Sequence, residues 1–186
     1  YNSLVGVNAG GAITTGAQNV AFGQGALSTN TTGATNTALG DSSLAANTTA
    51  SNNTAVGQAA LGANTTGANN TSVGMQAMED NTTGANNVAM GQAALANNTT
   101  AANNTAIGYA SLSANITGAS NTAVGTYALQ SATGANNTAF GMDAGDAIVS
   151  GSSNICVGQS ADCAHDSSNS ITIGVGITGQ GDYFKF

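Results

Sequence analysis

A large apolar residue followed at once by glycine recurs along the whole chain, and each occurrence is preceded by a short β-prone run such as Thr54-Ala55. Counted from the first residue of that run, units begin at Ser3, Val20, Thr37, Thr54, Thr71, Val88, Thr105, Thr122, Thr138, Ile155 and Ile171, eleven in all. Eight of the ten complete spacings are 17 residues, and the units starting at Thr122 and Ile155 have 16. A fixed period of this size marks a stacked, quasi-one-dimensional fold.

Positions are numbered here on the unit 54–70, with Thr54 as position 1. Position 3 holds Val5, Phe22, Leu39, Val56, Val73, Met90, Ile107, Val124, Phe140, Val157 and Ile173, which reads as a core column. Position 4 is glycine throughout: Gly6, Gly23, Gly40, Gly57, Gly74, Gly91, Gly108, Gly125, Gly141, Gly158 and Gly174. Such a column implies a positive φ or backbone packed too closely for a Cβ. A second core column follows four residues later at Leu27, Leu44, Leu61, Met78, Leu95, Leu112 and Leu129. Position 2 is Ala, Ser, Cys or Thr in every unit but the first, so something packs closely on that face.

The rest of each unit, such as Asn64-Thr65-Thr66-Gly67-Ala68-Asn69-Asn70, is rich in turn formers. An asparagine stands just before most units, at Asn19, Asn36, Asn53, Asn70, Asn87, Asn104, Asn121, Asn137 and Asn154, with Ser170 closing the column. In a stacked coil such amides hydrogen-bond from copy to copy and satisfy loop backbone. Each unit therefore reads as two short strands separated by a bend and closed by a polar loop. Strands this short cannot stand alone. Stacked at about 4.8 Å per coil, eleven would form a rod on the order of 50 Å long. A helical reading of Gln92-Ala93-Ala94-Leu95-Ala96 fails, because the piece is too short to nucleate and Gly and Asn recur too often. The predicted fold is all-β: a parallel β-roll or β-helix solenoid of about eleven 16–17-residue coils over 1–174, with 175–186 as a C-terminal cap or junction.

Composition narrows the function. Only nine residues are charged, eight acidic and one basic, Lys185. Phosphate contacts need cations, so nucleic-acid binding is excluded. An anionic membrane surface is disfavoured for the same reason. No apolar run reaches the length of a spanning helix, so membrane insertion is not expected. The chain opens at Tyr1 without a charged-then-apolar leader, which suggests a processed product or a fragment. Charge gathers towards the end at Asp143, Asp146, Asp162, His165, Asp166 and Asp182, and aromatic density rises over Tyr183–Phe186. Terminal repeats must differ, since their open face needs a cap or a junction.

Catalytic chemistry has little to work with, and no enzyme activity or cofactor is expected. The one histidine, His165, lies near Asp162 and Asp166, an incomplete metal set that reads better as solvated loop. Cys156 and Cys163 lie seven apart, compatible with a bridge in an oxidising compartment or with two buried thiols. Asn-x-Thr triplets at Asn30, Asn47, Asn64, Asn81, Asn98, Asn115, Asn52, Asn69, Asn103 and Asn136 match the glycosylation acceptor pattern, but an Asn/Thr-rich repeat generates them by composition. The pairs Thr31-Thr32, Thr48-Thr49, Thr65-Thr66, Thr82-Thr83 and Thr99-Thr100 would form a regular rank on consecutive coils. A flat hydroxyl and methyl array of that kind suits an ice-binding surface; solvated turns are the simpler reading.

The Asn-[Thr/Ser]-Ala-[Val/Ile]-Gly column resembles the head repeats of trimeric autotransporter adhesins. The longer form Asn87-Val88-Ala89-Met90-Gly91-Gln92-Ala93-Ala94-Leu95, with its Asn-Thr-Thr-Gly-Ala-Asn-Asn loops, resembles collar and shaft repeats of bacteriophage tail fibres. That resemblance implies a left-handed β-roll, a homotrimer, and an extracellular or virion-surface attachment role with host glycan or surface protein as target. A trimer also suits the apparent excess of buried faces, with Ala38, Ala55, Ala89, Ala106 and Ala123 expected against sister chains. An ice-binding solenoid and a self-assembling extracellular filament are the alternatives.

Overall fold

The computed structural model describes residues 1–177 and the backbone of the strand Phe184–Lys185. Among the described residues every regular element is a β-strand. Eleven three-residue strands fall at the expected places: β1 Ser3–Val5, β2 Val20–Phe22, β3 Thr37–Leu39, β4 Thr54–Val56, β5 Thr71–Val73, β6 Val88–Met90, β7 Thr105–Ile107, β8 Thr122–Val124, β9 Thr138–Phe140, β10 Ile155–Val157 and β11 Ile171–Ile173, followed by the two-residue β12 Phe184–Lys185. All pair in parallel with their sequence neighbours, in the order β1 to β12, so one strand is added per turn. Register is strict: Thr54, Ala55 and Val56 face Thr71, Ser72 and Val73. The chain is a β-solenoid.

Each strand stops at the glycine column. Gly57 has φ +129°, and a Cβ there would lie 2.6 Å from the carbonyl oxygen of Gly74 in the next coil. The Gly57 N–H instead reaches back to the Leu39 carbonyl at 2.7 Å. Close stacking of coil on coil is thus what excludes a side chain.

The expected second strand is absent from its place in the coil; a run of hydrogen-bonded turns replaces it. Ala59 (φ 53°) and Leu61 (φ 54°) are both left-handed. The peptide planes consequently alternate: Ala59 N–H donates to Asp41 in the preceding coil, and Leu61 N–H donates to Ala77 in the following one, both at 2.9 Å. Left-handed backbone costs an L-residue roughly 1–2 kcal/mol. Fully burying a leucine returns about 2 kcal/mol. That offsets the strain, and Leu27, Leu44, Leu61, Met78, Leu95, Leu112 and Leu129 are indeed completely buried.

The position-3 column does not belong to the core. Val5, Phe22, Leu39, Met90, Ile107, Phe140 and Ile173 are exposed, and Val56, Val73, Val124 and Val157 only half-buried. Successive strand residues point to opposite faces. Position 2 points inward, with Ala38, Ala55, Ala89, Ala106 and Ala123 fully buried, so position 3 must point outward. The lumen, already filled across its width by the position-8 side chains and the position-11 asparagines, leaves room for little more than a methyl on the strand wall. The alanines therefore line the inside and are not available to a sister chain.

One amide ladder runs from Asn2 to Ser170, and a second spans the middle coils. The expected one carries on from Asn2: each Oδ1 accepts the backbone N–H of the next asparagine (Asn53 to Asn36 at 3.0 Å), and each Nδ2 donates to a loop carbonyl of the next coil (Asn53 to Gly67 at 2.9 Å). It ends at the Ser170 N–H, which donates to Asn154. Among the described residues no buried side-chain nitrogen or oxygen lacks a partner. Coil stacking continues past 174, since Gly176 N–H donates to Gln159 and the Ile177 carbonyl accepts from Asp162. Most of the cap expected over 175–186, including Asp182 and Tyr183, lies outside the described residues.

Candidate functional site

Among the described residues there is no pocket and no cluster of three or more metal-ligating side chains. What the fold offers is surface. The strand wall presents positions 1, 3 and 5 outward, and nearly every exposed large apolar residue lies there: Phe22 (56%) and Phe140 (55%) at position 3, Val20 and Ile155 at position 1, and Met75, Tyr109 and Met142 at position 5. Strand register stacks position 3 into a continuous apolar stripe, which positions 1 and 5 widen in the coils where they too are apolar. Tyr109 and Tyr127 extend it with an edge-to-face contact at 5.2 Å.

The loop wall is polar and differs from expectation in one respect. Within each threonine pair the first residue is half-buried and its hydroxyl donates to the next coil's threonine carbonyl, as from Thr48 to Thr65 at 3.1 Å and from Thr65 to Thr82 at 3.0 Å. Thr31 and Thr82 do the same, and Thr99 donates to the Ile116 carbonyl that takes the threonine's place. Only the second residues, Thr32, Thr49, Thr66, Thr83 and Thr100, form an exposed rank. Beside it runs a rank of left-handed residues that includes Asn52, Asn69, Asn103 and Asn136.

The other six acceptor-pattern asparagines are the second internal ladder. Asn47 donates to Asn30, Asn64 to Asn47, Asn81 to Asn64, Asn98 to Asn81 and Asn115 to Asn98, at 2.8–3.3 Å, and all six are fully buried. A glycan cannot reach them in the folded rod. Their recurrence at position 11 was the signal that marks them as structural, the same signal that identifies the ladder before each unit.

Near the C-terminus, His165 Nδ1 lies 3.0 Å from Asp166 Oδ2 on the surface. The Ser150 hydroxyl, donating to Asp166 at 2.7 Å, and then His165 hold that carboxyl below its usual range. Asp162 takes no part in this pair; its carboxylate accepts the Ala147 N–H at 3.0 and 3.1 Å, and burial raises its pKa. The three do not converge as a ligand set. Cys156 and Cys163 are both fully buried, with sulfurs 2.7 Å apart. Their mutual contact pushes Cys156 up and Cys163 down.

No family model matches the chain, and neither a curated protein nor a solved structure matches it.

Proposed function

We propose that this chain is a non-enzymatic rod segment of an extracellular attachment structure, a phage tail fibre or a surface adhesin, working as a homotrimer. The observation that carries this reading is the apolar stripe. Contiguous exposed apolar surface on a soluble protein marks an interaction site, and here it runs along a regular, register-locked wall from Val5 to Ile173. Three copies set stripe to stripe would bury it and stiffen a thin rod. The polar loop walls, with their Thr and Asn ranks, would remain outside to meet host glycan or surface protein. Sedimentation equilibrium tests the assembly: the parent chain sediments at three times its 17.8 kDa mass, whereas Phe22→Asp combined with Ile107→Asp sediments as a folded monomer. A parent that stays monomeric overturns the reading.

A second reading rests on the exposed rank Thr32, Thr49, Thr66, Thr83 and Thr100, which a rigid coil repeats at about 4.8 Å. One threonine per coil, and not two, is free for an ice surface. Thermal hysteresis in the parent that disappears in Thr66→Tyr/Thr83→Tyr supports it, and no hysteresis in the parent ends it. A filament built by coil stacking between subunits would show by electron microscopy as indefinite length.

A further inference from the structure

The coil spanning 155–170 fills its interior as no other coil does. Its position 8 is Asp162, half-buried and held by Ala147 N–H, where seven other coils bury Leu or Met. The next residue, Cys163, turns into the lumen in its place. Cys156, at position 2 of β10, enters from the strand wall in the register slot between Ala139 and Thr172. The two sulfurs meet across the lumen at 2.7 Å. That is well inside the about 3.5–4.0 Å at which non-bonded carbon atoms settle. It is less than about 1 Å from the ~2.05 Å of a disulfide bond. Among the described residues no third His, Cys, Asp or Glu joins them in a metal-sized group.

We propose that Cys156 and Cys163 are joined by a disulfide in the mature rod, a cross-link that ties the strand wall of this coil to the wall facing it. Both sulfurs are sealed in the finished coil, so the bond forms while the coil is open. One cysteine thiolate attacks a sulfur of a small disulfide such as oxidised glutathione, giving a mixed disulfide and releasing one glutathione thiolate. The other cysteine thiolate attacks the protein sulfur of that mixed disulfide, forming the Sγ–Sγ bond and releasing the second glutathione. Two electrons pass from the cysteines to glutathione, and the two thiol protons end on the two glutathione thiols released. The cross-link is independent of the rod's oligomeric state and role.

The test uses the whole chain folded in a glutathione buffer, then unfolded in guanidinium with iodoacetamide and weighed intact. The expected result is a monomer lighter by two hydrogens that takes up no alkyl group until it is reduced, and then takes up two. Two alkyl groups without reduction, or a disulfide-linked dimer on a non-reducing gel, overturns the proposal. A second measurement compares the glutathione ratio at half-oxidation for the native chain and for the chain kept in guanidinium. Native geometry should favour the bond at least about tenfold, ~30 mV for this two-electron couple. Equal midpoints would mean that the fold does not select the bond, and would overturn the proposal equally.

Discussion

The middle coils and the end coils share one outline but fill it differently. From the unit at Val20 to the unit at Thr105, a position-8 Leu or Met and a position-11 Asn sit in the lumen together. In the unit at Thr138 the same places hold Gly145 and Ile148, and in the first unit Gly10 and Ile13. The exchange is complementary: a Cβ on Gly145 would lie 3.5 Å from the Ile148 Cδ1, and one on Gly10 would lie 2.9 Å from the Ile13 Cδ1. The isoleucine occupies the volume that the leucine gives up. It also moves the apolar side chain off the left-handed position, where glycine (φ 69° at Gly145) is unstrained. The amide ladder ends one coil before that exchange, where Ala132 stands at position 11 of the unit at Thr122. Asn115 has no asparagine beyond it, and its Oδ1 accepts the Gly118 N–H at 3.1 Å instead. The strand wall and the asparagine ladder before each unit, by contrast, continue to Ser170. Frame and filling are therefore separable: the frame fixes coil shape, and the filling need only match in volume and leave no polar group unpaired.

The largest expected effect tests the frame at its middle and its end. Gly57→Ala combines a glycine-only φ with a Cβ driven into the Gly74 backbone, and should cost about 4 kcal/mol or more. Gly174→Ala has a similar φ (+143°), but among the described residues its Cβ would meet only the Ile177 side chain, which can move, so roughly 2 kcal/mol is expected. Since solenoid coils open locally, region-resolved hydrogen exchange is the suitable readout. Equal losses at the two sites would mean that stacking does not enforce the glycine column.

Next comes the filling of the middle coils. Asn64→Ala removes the donor to Asn47 Oδ1 and the acceptor of Asn81 Nδ2, both buried. A buried group left without its partner costs about 1–3 kcal/mol. A loss near the middle of that range, confined to coils around 47–81, is expected by hydrogen exchange; no change would show the ladder to be ornamental. Thr66→Ala, on the exposed threonine rank, is the control and should be nearly neutral.

How far the sequence revealed these two layers differs for each. Every strand start, the glycine column and the ladder before each unit were legible, because each depends on contacts between identical positions of adjacent coils, and strict recurrence displays them. Which way position 3 faces was not legible. Alternation requires Ala55 and Val56 to point oppositely, but which one points inward depends on how much of the lumen Leu61 and Asn64 take from the far walls. That is a contact between different positions, which recurrence alone does not rank. The Asn30–Asn115 column was visible as a recurrence, but its triplets read as a product of composition and not as a second internal ladder. The turn run around Ala59 and Leu61 looked like a strand because left-handed leucine is too uncommon to expect from sequence.

A smaller effect sharpens the Gly/Ile exchange itself. Gly145→Leu alone crowds Leu129 and Ile148, and Ile148→Ala alone leaves a void. Together they rebuild something near a middle-coil lumen. The double variant should be more stable than the sum of the singles by about 1–2 kcal/mol, within the range found for contacting residues. Strict additivity in a thermal or denaturant series would break the volume argument.

The smallest difference between the regions is electrostatic. The middle lumen holds no titratable side chain, whereas the end coils carry Asp146 and Asp162, whose carboxyls burial raises above the usual range. A raised carboxyl pKa means that the native state binds more protons than the unfolded chain in the interval between the ordinary and the native value. Stability therefore falls as pH rises through that interval and is recovered on acidification towards the ordinary carboxylate range. Asp166 acts in the opposite sense, since Ser150 and His165 lower its pKa and its contribution is lost as pH falls; full exposure leaves that term heavily screened. Burial should win. Hydrogen exchange over 138–170, corrected for the intrinsic rate, should slow on mild acidification by less than about tenfold, under ~1.4 kcal/mol, while exchange over 37–112 stays level. Asp162→Asn keeps an acceptor for the Ala147 N–H and should flatten most of the response. A response of equal size in the middle coils would place its origin in the net charge of −7 and not in these two half-buried carboxyls.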